Sequence, residues 1–197
     1  MKHSLDRSKK YFIFVRHFST KWNKENKLQG KKDIGIEKIN KRQIQKEKEK
    51  IFLLTKKLKI KDTNIYTSKL KRSKQTAIKL GYKNFIEESL LNEYDMGKFE
   101  GMKKTKAFSK FEFNHKFYKI YKNEKKEKII NRIKKFIKKA KEGKLNICIV
   151  HGMWLRFLYI LLHNKSANYL FKINVANGSK TILVFKNFNQ FQLKLNQ

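Results

Sequence analysis

The 197-residue chain has no proline, one cysteine, eight glycines and few acidic residues, and each scarcity excludes something. Nothing in it has the composition of a linker, and its length suits one domain with a core of its own. The lone Cys148 cannot form a disulfide within the chain. Its place in the run Ile147-Cys148-Ile149-Val150 reads as a small buried hydrophobe. The longest apolar stretch, 145–162, is broken by His151 and Arg156, which argues against a membrane span. The run Tyr11-Phe12-Ile13-Phe14-Val15 is too short for the apolar region of a secretory signal, so a cytoplasmic protein is expected. Two triplets, Asn164-Lys165-Ser166 and Asn177-Gly178-Ser179, match glycosylation acceptors, which carry no meaning without secretion.

What is abundant is positive charge. Fifty Lys and Arg face 16 Asp and Glu, a formal charge of +34. Such a field attracts anions, and nucleic acid, acidic lipid and phosphorylated metabolites all fit it. Lys, Asn and Ile dominate the composition while Pro, Gly and Ala are scarce, the bias that an AT-rich genome imposes through its codons. Most lysines are therefore read as solvated surface. No nucleic-acid motif with interleaved aromatics is present, so no specific nucleic-acid partner and no membrane partner is expected. Hydrophobic residues make up 40%, enough for a globular chain, and there is no internal repeat.

The apolar pattern divides the chain into alternating elements. Residues 1–10 read as a frayed basic arm. Residues 11–15, 64–67 and 145–150 read as strands, with a short one near Phe85-Ile86 and one or two more over 181–193. Residues 36–59 carry Ile44, Ile51, Leu54 and Leu58 on one helical face. Ser68 is a plausible N-cap for a helix over 69–80. Residues 124–142 form a third helix, with Ile129, Ile133, Phe136, Ile137 and Ala140 on one stripe and Gly143 as its stop. A fourth covers 152–163. Alternation of this kind predicts an α/β fold, a single-domain three-layer sandwich with a mostly parallel central sheet and a small helical cap region. The domain is expected over 11–197, with the cap at roughly 102–125.

Three strand ends carry similar chemistry. After Tyr11–Val15 come Arg16 and His17. After Ile65-Tyr66 comes the segment Ser68 to Arg72. After Ile147–Val150 come His151 and Gly152. Ligands of open parallel sheets bind beyond the carboxyl ends of the strands. Two histidines and two arginines are thus expected at one edge of the sheet, beside helix N-termini that add N–H donors. A small cationic pocket of this kind suits a phosphate, which arginine grips bidentately.

At these residues the sequence resembles the histidine phosphatase superfamily, the phosphoglycerate mutase-like proteins, from about residue 11 onward. Val15-Arg16-His17-Phe18-Ser19-Thr20-x-Trp22-Asn23 resembles the signature R-H-G-E-T-x-W-N. Leu28-Gln29-Gly30-x-x-Asp33 follows as Q-G-x-x-D. Ser68-x-Leu70-x-Arg72-Ser73-x-Gln75-Thr76-Ala77 resembles S-x-L-x-R-A-x-Q-T-A. Leu91-Asn92-Glu93 to Gly101 resembles the acid-bearing segment, and Val150-His151-Gly152 the last histidine motif. Phe18 and Ser19 depart from the signature glycine and glutamate. They are expected to alter the rim of the pocket rather than its chemistry.

The resemblance implies a metal-independent phosphomonoester hydrolase with no cofactor, acting on a small phosphorylated substrate. In that reading His17 is the nucleophile that becomes phosphorylated. Arg16 and Arg72 neutralise the phosphoryl oxygens. His151, in its cationic form, is a second donor to them. Glu93 is the general acid, with Asp95 and Glu100 as neighbouring competitors. Asn23, Gln29 and Gly30 border the substrate. A phosphoglycerate mutase-type transferase, and a basic nucleic-acid-binding module with a vestigial pocket, are the alternatives. The mutase is disfavoured because the chain lacks the longer insertions of the cofactor-dependent mutases. His3, His115 and His163 have no motif around them and read as surface or structural. Phe108, Phe111, Phe113, Phe117, Tyr118 and Tyr121 fall in the cap region. No cluster has the spacing of metal ligands.

Overall fold

The continuous apolar runs at 11–15 and 145–150 demand cover on both faces, and the computed structural model, described here for residues 6–104 and 119–194, supplies it. Six strands form one sheet: β1 (Lys10–Arg16), β2 (Thr63–Thr67), β3 (Ile86–Glu87), β4 (Leu145–Val150), β5 (Lys180–Asn187) and β6 (Gln190–Lys194). Their order is β3-β2-β4-β1-β5-β6. The first four run parallel, and β5 and β6 add an antiparallel edge.

Because side chains alternate along a strand, each buried strand feeds two cores. On one face Tyr11, Ile13 and Val15 of β1 and Leu145, Ile147 and Ile149 of β4 meet Ile51 and Ala77. Those two residues belong to α2 (Lys41–Leu58) and α3 (Lys71–Lys79). On the other face Phe12, Phe14, Cys148 and Val150 meet Ile129, Ile133, Phe136, Ile137 and Trp154. These come from α4 (Lys126–Lys139) and α5 (Gly152–Leu162). A short α1 (Lys21–Lys24) follows β1. The fold is thus the expected single α/β domain, with a helical layer on either side of a mostly parallel sheet. Among the described residues no helix is long and apolar enough to cross a membrane.

Several local expectations shift. The helix expected over 36–59 begins at Lys41, and Asn40 caps it by accepting the Gln43 N–H at 2.7 Å. The helix expected over 69–80 begins at Lys71, and Ser68 is not its cap. Instead Asp33 reaches in from another loop and accepts the Lys71 N–H at 2.7 Å. Gly143 stands beyond the C-cap Ala140, in the turn into β4 with φ +65°. Of the expected basic arm, Lys10 is built into β1. Its Nζ donates to the Ile137 and Lys138 carbonyls at 3.1 and 2.6 Å, satisfying the C-terminal end of α4. Most of the expected cap, 105–118, lies outside the described residues, and with it Phe108, Phe111, Phe113, Phe117, Tyr118 and His115, as does His3 near the N-terminus. Tyr121 is described and stacks on the buried Phe99.

Strand order fixes where a ligand can sit. The chain leaves β1 toward α2 on one face and leaves β4 toward α5 on the other, although β1 and β4 are neighbours. Their carboxyl ends therefore flank a switch point, the crevice in which open α/β sheets bind ligands.

Candidate active site

Register brings the two histidines together. Arg16 pairs with Val150 across the β1–β4 ladder, so the next residue of each strand, His17 and His151, emerges at the same level. The His17 N–H donates to the Val150 carbonyl at 3.0 Å, and the imidazole centroids lie 5.2 Å apart. Arg72, in the first turn of α3, is completely buried and comes up beside them. A pocket opens here, lined by Arg16, His17, Asn23, Gln29, Gly30, Arg72, Glu93 and Gly152, with Lys27, Lys104, Met153 and Arg156 completing its wall. Every residue singled out from the sequence for catalysis or substrate contact thus lines it except His151. That side chain stands directly behind, bonded to Arg72.

The hydrogen bonds fix the protonation of both rings. His17 Nδ1 lies 2.7 Å from the Phe18 carbonyl oxygen, which can only accept. The proton is therefore on Nδ1, and Nε2 keeps its lone pair. Burial, and then the Arg72 and Arg16 charges, drive the ring's pKa well below 6.5. At neutral pH His17 is an uncharged imidazole with an available nitrogen.

His151 differs. Arg72 Nε–H donates to its Nδ1 at 3.2 Å, so its proton sits on Nε2 and goes to Ser68 Oγ at 2.7 Å. Burial, Arg72 and the neighbouring His17 hold its pKa well below 6.5 as well. The cationic His151 expected from the sequence is corrected here: the ring is neutral, because it lies beside two guanidiniums and accepts from one of them. Ser68, expected to cap a helix, serves instead as its anchor.

Five cationic side chains, Arg16, Lys27, Arg72, Lys104 and Arg156, line the same space. Arg72 donates through its terminal nitrogens to the Gly30 and Lys32 carbonyls at 2.7 and 2.8 Å, which leaves further N–H groups for the pocket. The Arg16 guanidinium donates to the Val175 carbonyl while its buried Nε has no partner. Burial, with Arg156 and Arg72 nearby, lowers its pKa to about 10, against the opposing pull of Glu93. Arg156 donates through Nε to the Ile173 carbonyl at 2.9 Å. A Cβ on Gly152 would come within 3.2 Å of the Arg16 guanidinium carbon and 3.3 Å of Arg156. The glycine is what lets α5 start against two guanidiniums. Lys104 is lowered by burial and by the Arg16 and Arg156 charges.

Glu93 lies among these cations. Its Oε1 accepts from the Tyr94 and Trp154 N–H groups at 2.9 and 3.0 Å, and its Oε2 from Met153 N–H at 3.2 Å. The carboxyl group thus sits against the N-terminus of α5, held by three backbone N–H groups. The two competing acids point elsewhere. Asp95 pairs with Lys31 at 2.8 Å, and Glu100 accepts the Lys31 N–H at 2.6 Å. Both support the turn at Gly30, whose φ of +51° and whose contact with Glu100 leave no room for a Cβ. Neither Phe18 nor Ser19 lines this pocket. Phe18 is buried in the α2–α3 core, so the expected change to the rim does not arise from it.

Sequence reasoning missed Arg156, Lys27 and Lys104 as wall residues. Arg156 had a readable signal, lying four residues after Gly152 and hence on the same face of a helix that starts at a strand end. His163, read as surface or structural, is exposed, with its ring against Tyr159 and Phe191. Among the described residues no group of three His, Cys, Asp or Glu side chains comes together as a metal site.

The fold is an α/β sheet with a cationic pocket at its switch point, and comparison makes the class specific. The model of the histidine phosphatase superfamily (branch 1) matches residues 12–197. The chain belongs to that superfamily, a family of enzymes. It is 28% identical to a 2,3-bisphosphoglycerate-dependent phosphoglycerate mutase of Buchnera aphidicola subsp. Cinara cedri, covering 92% of this chain and 96% of the mutase. It is 26% identical to phosphoserine phosphatase 1 of Hydrogenobacter thermophilus, over 93% and 90% of the two chains. Its fold superposes with a TM-score of 0.72 on a phosphoserine phosphatase of Entamoeba histolytica in complex with phosphoserine, at 22% identity and covering 95% and 97% of the two chains.

Proposed function

We propose that this chain is a phosphomonoester hydrolase that works through a phosphohistidine at His17 Nε2. The observation that carries this reading is the Nδ1–H bond to Phe18, which leaves a neutral, buried nitrogen facing a wall of guanidiniums. The lone pair of Nε2 attacks phosphorus as the ester P–O bond breaks, and Arg16, Arg72 and Arg156 balance the charge on the phosphoryl oxygens. Glu93 gives a proton to the leaving oxygen. Its Oε2, with one bond at 3.2 Å, is the oxygen with room to carry it. Water then surrenders a proton to Glu93 as it attacks, the N–P bond breaks, and inorganic phosphate leaves. The guanidiniums supply the positive charge that a metal would otherwise bring, so the reaction is metal-independent in this reading.

Hydrolysis is favoured over transfer to a second hydroxyl by what the chain lacks. The alignment with the mutase runs over 225 positions, of which 92% of 197 residues fills about 181, so about 44 have no counterpart here. With the phosphatase, 93% of 197 fills about 183 of 199 positions, leaving about 16. Extra segments that could shield a phosphoenzyme from water are what a transferase needs.

The test is brief incubation with a labelled phosphomonoester, drawn from a panel that includes phosphoserine and 3-phosphoglycerate, followed by rapid quench. An acid-labile, base-stable adduct, absent in His17→Ala and unaffected by EDTA, is the expected outcome. An adduct that persists in His17→Ala, or one lost on chelation, would overturn the reading.

A further inference from the structure

The triplet Asn177-Gly178-Ser179 was set aside in the sequence, yet it lies directly behind the nucleophile. The segment that carries it is tied to the last residue of β1 by two bonds: Arg16 N–H donates to the Ser179 carbonyl and Gly178 N–H to the Arg16 carbonyl, each at 3.0 Å. Just before these bonds the Asn177 side chain reaches two groups. Its Nδ2 donates to the His17 carbonyl at 3.0 Å and to Asn23 Oδ1 at 3.2 Å. One amide NH2 has two hydrogens, and both are used.

We propose that Asn177 is a positioning residue for phosphoryl transfer, holding the main chain of His17 and setting which end of the Asn23 amide faces the pocket. Asn23 Oδ1 is an acceptor for the Thr20 N–H and the Thr20 hydroxyl, both at 3.2 Å, as well as for Asn177. With its oxygen committed to three donors, Asn23 turns its own NH2 toward the anion. Reversed, it would aim an oxygen at the phosphoryl group and repel it. Asn177 is half-buried and is absent from the catalytic pocket wall, so it acts through Asn23 and His17 and not on substrate.

The inference rests on the phosphoryl-transfer reading, and the test separates the two. Asn177→Ala, Asn177→Asp, Asn23→Ala and the double alanine variant are compared by single-turnover adduct formation and by the affinity for inorganic phosphate. Asn177→Ala is expected to lower both by roughly 3–10-fold, the loss that accompanies a hydrogen bond between neutral groups, since Thr20 still holds the Asn23 oxygen. In the Asn23→Ala background the same substitution should do less, because only the bond to the His17 carbonyl is left to lose. Asn177→Asp keeps the shape and removes the donor, so it should be worse than alanine. Additive losses mean that Asn177 does not act through Asn23, and an aspartate variant milder than alanine means that it only fills space; either result overturns the proposal. If the parent chain forms no adduct, the hydrolase reading falls, and phosphate affinity alone decides whether Asn177 and Asn23 are coupled.

Discussion

The carboxyl ends of β1 and β4 are nearly equivalent places: adjacent parallel strands, each ending in a buried histidine, each beside the same arginines. Their chemistry differs all the same. His17 spends one nitrogen on a carbonyl of its own loop and keeps the other. His151 spends both, on Arg72 and on Ser68. Residue type and depth are shared, so neither assigns the roles. The assignment comes from what the third strand end delivers, because β2 and α3 bring Ser68 and Arg72 to one ring and not to the other. A histidine with a free, neutral nitrogen can attack. A histidine with none can hold a guanidinium in place.

The largest effects should come from removing each ring in turn. His17→Ala is expected to lower phosphoenzyme formation on the order of 10⁴-fold or more, the scale on which loss of a nucleophile acts. His151→Ala frees Arg72 Nε and should lower it roughly 10²–10³-fold, the cost of disturbing one charge-stabilising group. The adduct should still form in His151→Ala, and rapid-quench trapping shows this directly. Equal and complete loss in both would erase the distinction.

An intermediate effect concerns pH. Both rings have folded-state pKa values well below the 6.5 of an exposed histidine. Below pH 6.5 the unfolded chain takes up protons that the folded chain refuses, so stability falls as the solution is acidified and is fully present above it. Each ring contributes a slope of up to about 1.4 kcal/mol per pH unit. Urea denaturation between about pH 7 and pH 5 should give a shallower slope for His151→Gln than for the parent. An unchanged slope would mean that His151 is already protonated in the folded chain.

The smallest effect is that of the anchor. Ser68→Ala removes the acceptor of the His151 Nε2 proton and should slow phosphoryl transfer by about fivefold, or about 1 kcal/mol. The parallel change near His17, Ser19→Ala, touches no ring nitrogen and should leave the rate alone. A rate loss from Ser19→Ala as large as that from Ser68→Ala would show that the two strand ends are less distinct than their hydrogen bonds imply.

What could be read from the sequence follows from how local each signal is. The strand over Leu145–Val150 was legible to the residue, because a mostly apolar run bounded by Lys144 and His151 is a statement about its own neighbours. Arg16, His17, Arg72 and His151 were legible as one edge of the sheet for a similar reason, each following a strand or opening a helix. Ser68 was misread as a helix cap. Nothing local says that Asp33, 38 residues away from Lys71, caps α3 and leaves the serine hydroxyl for His151. The charge of His151 was misread on the same ground, since it depends on β2, β4 and α3 meeting. Asn177 was invisible because its partners lie more than 150 residues away.

One bond behind β1 also bears on the chemical lifetime of the molecule. Asn followed by Gly is the dipeptide that most readily closes to a succinimide, with the glycine nitrogen attacking the asparagine amide carbon and ammonia leaving. The product opens to aspartate or isoaspartate, and asparagine's thermolability has this origin. At Asn177-Gly178 the attacking nitrogen is engaged, its N–H held by the Arg16 carbonyl, and the amide it would attack is itself fastened on both hydrogens. The folded chain therefore ages slowly at this position, while an unfolded or heat-strained one does not. Repeated thermal unfolding should add a mass of about one dalton at this peptide. The chains that carry it will refold with an acceptor where the site needs a donor, so their loss of activity is permanent even though the fold returns.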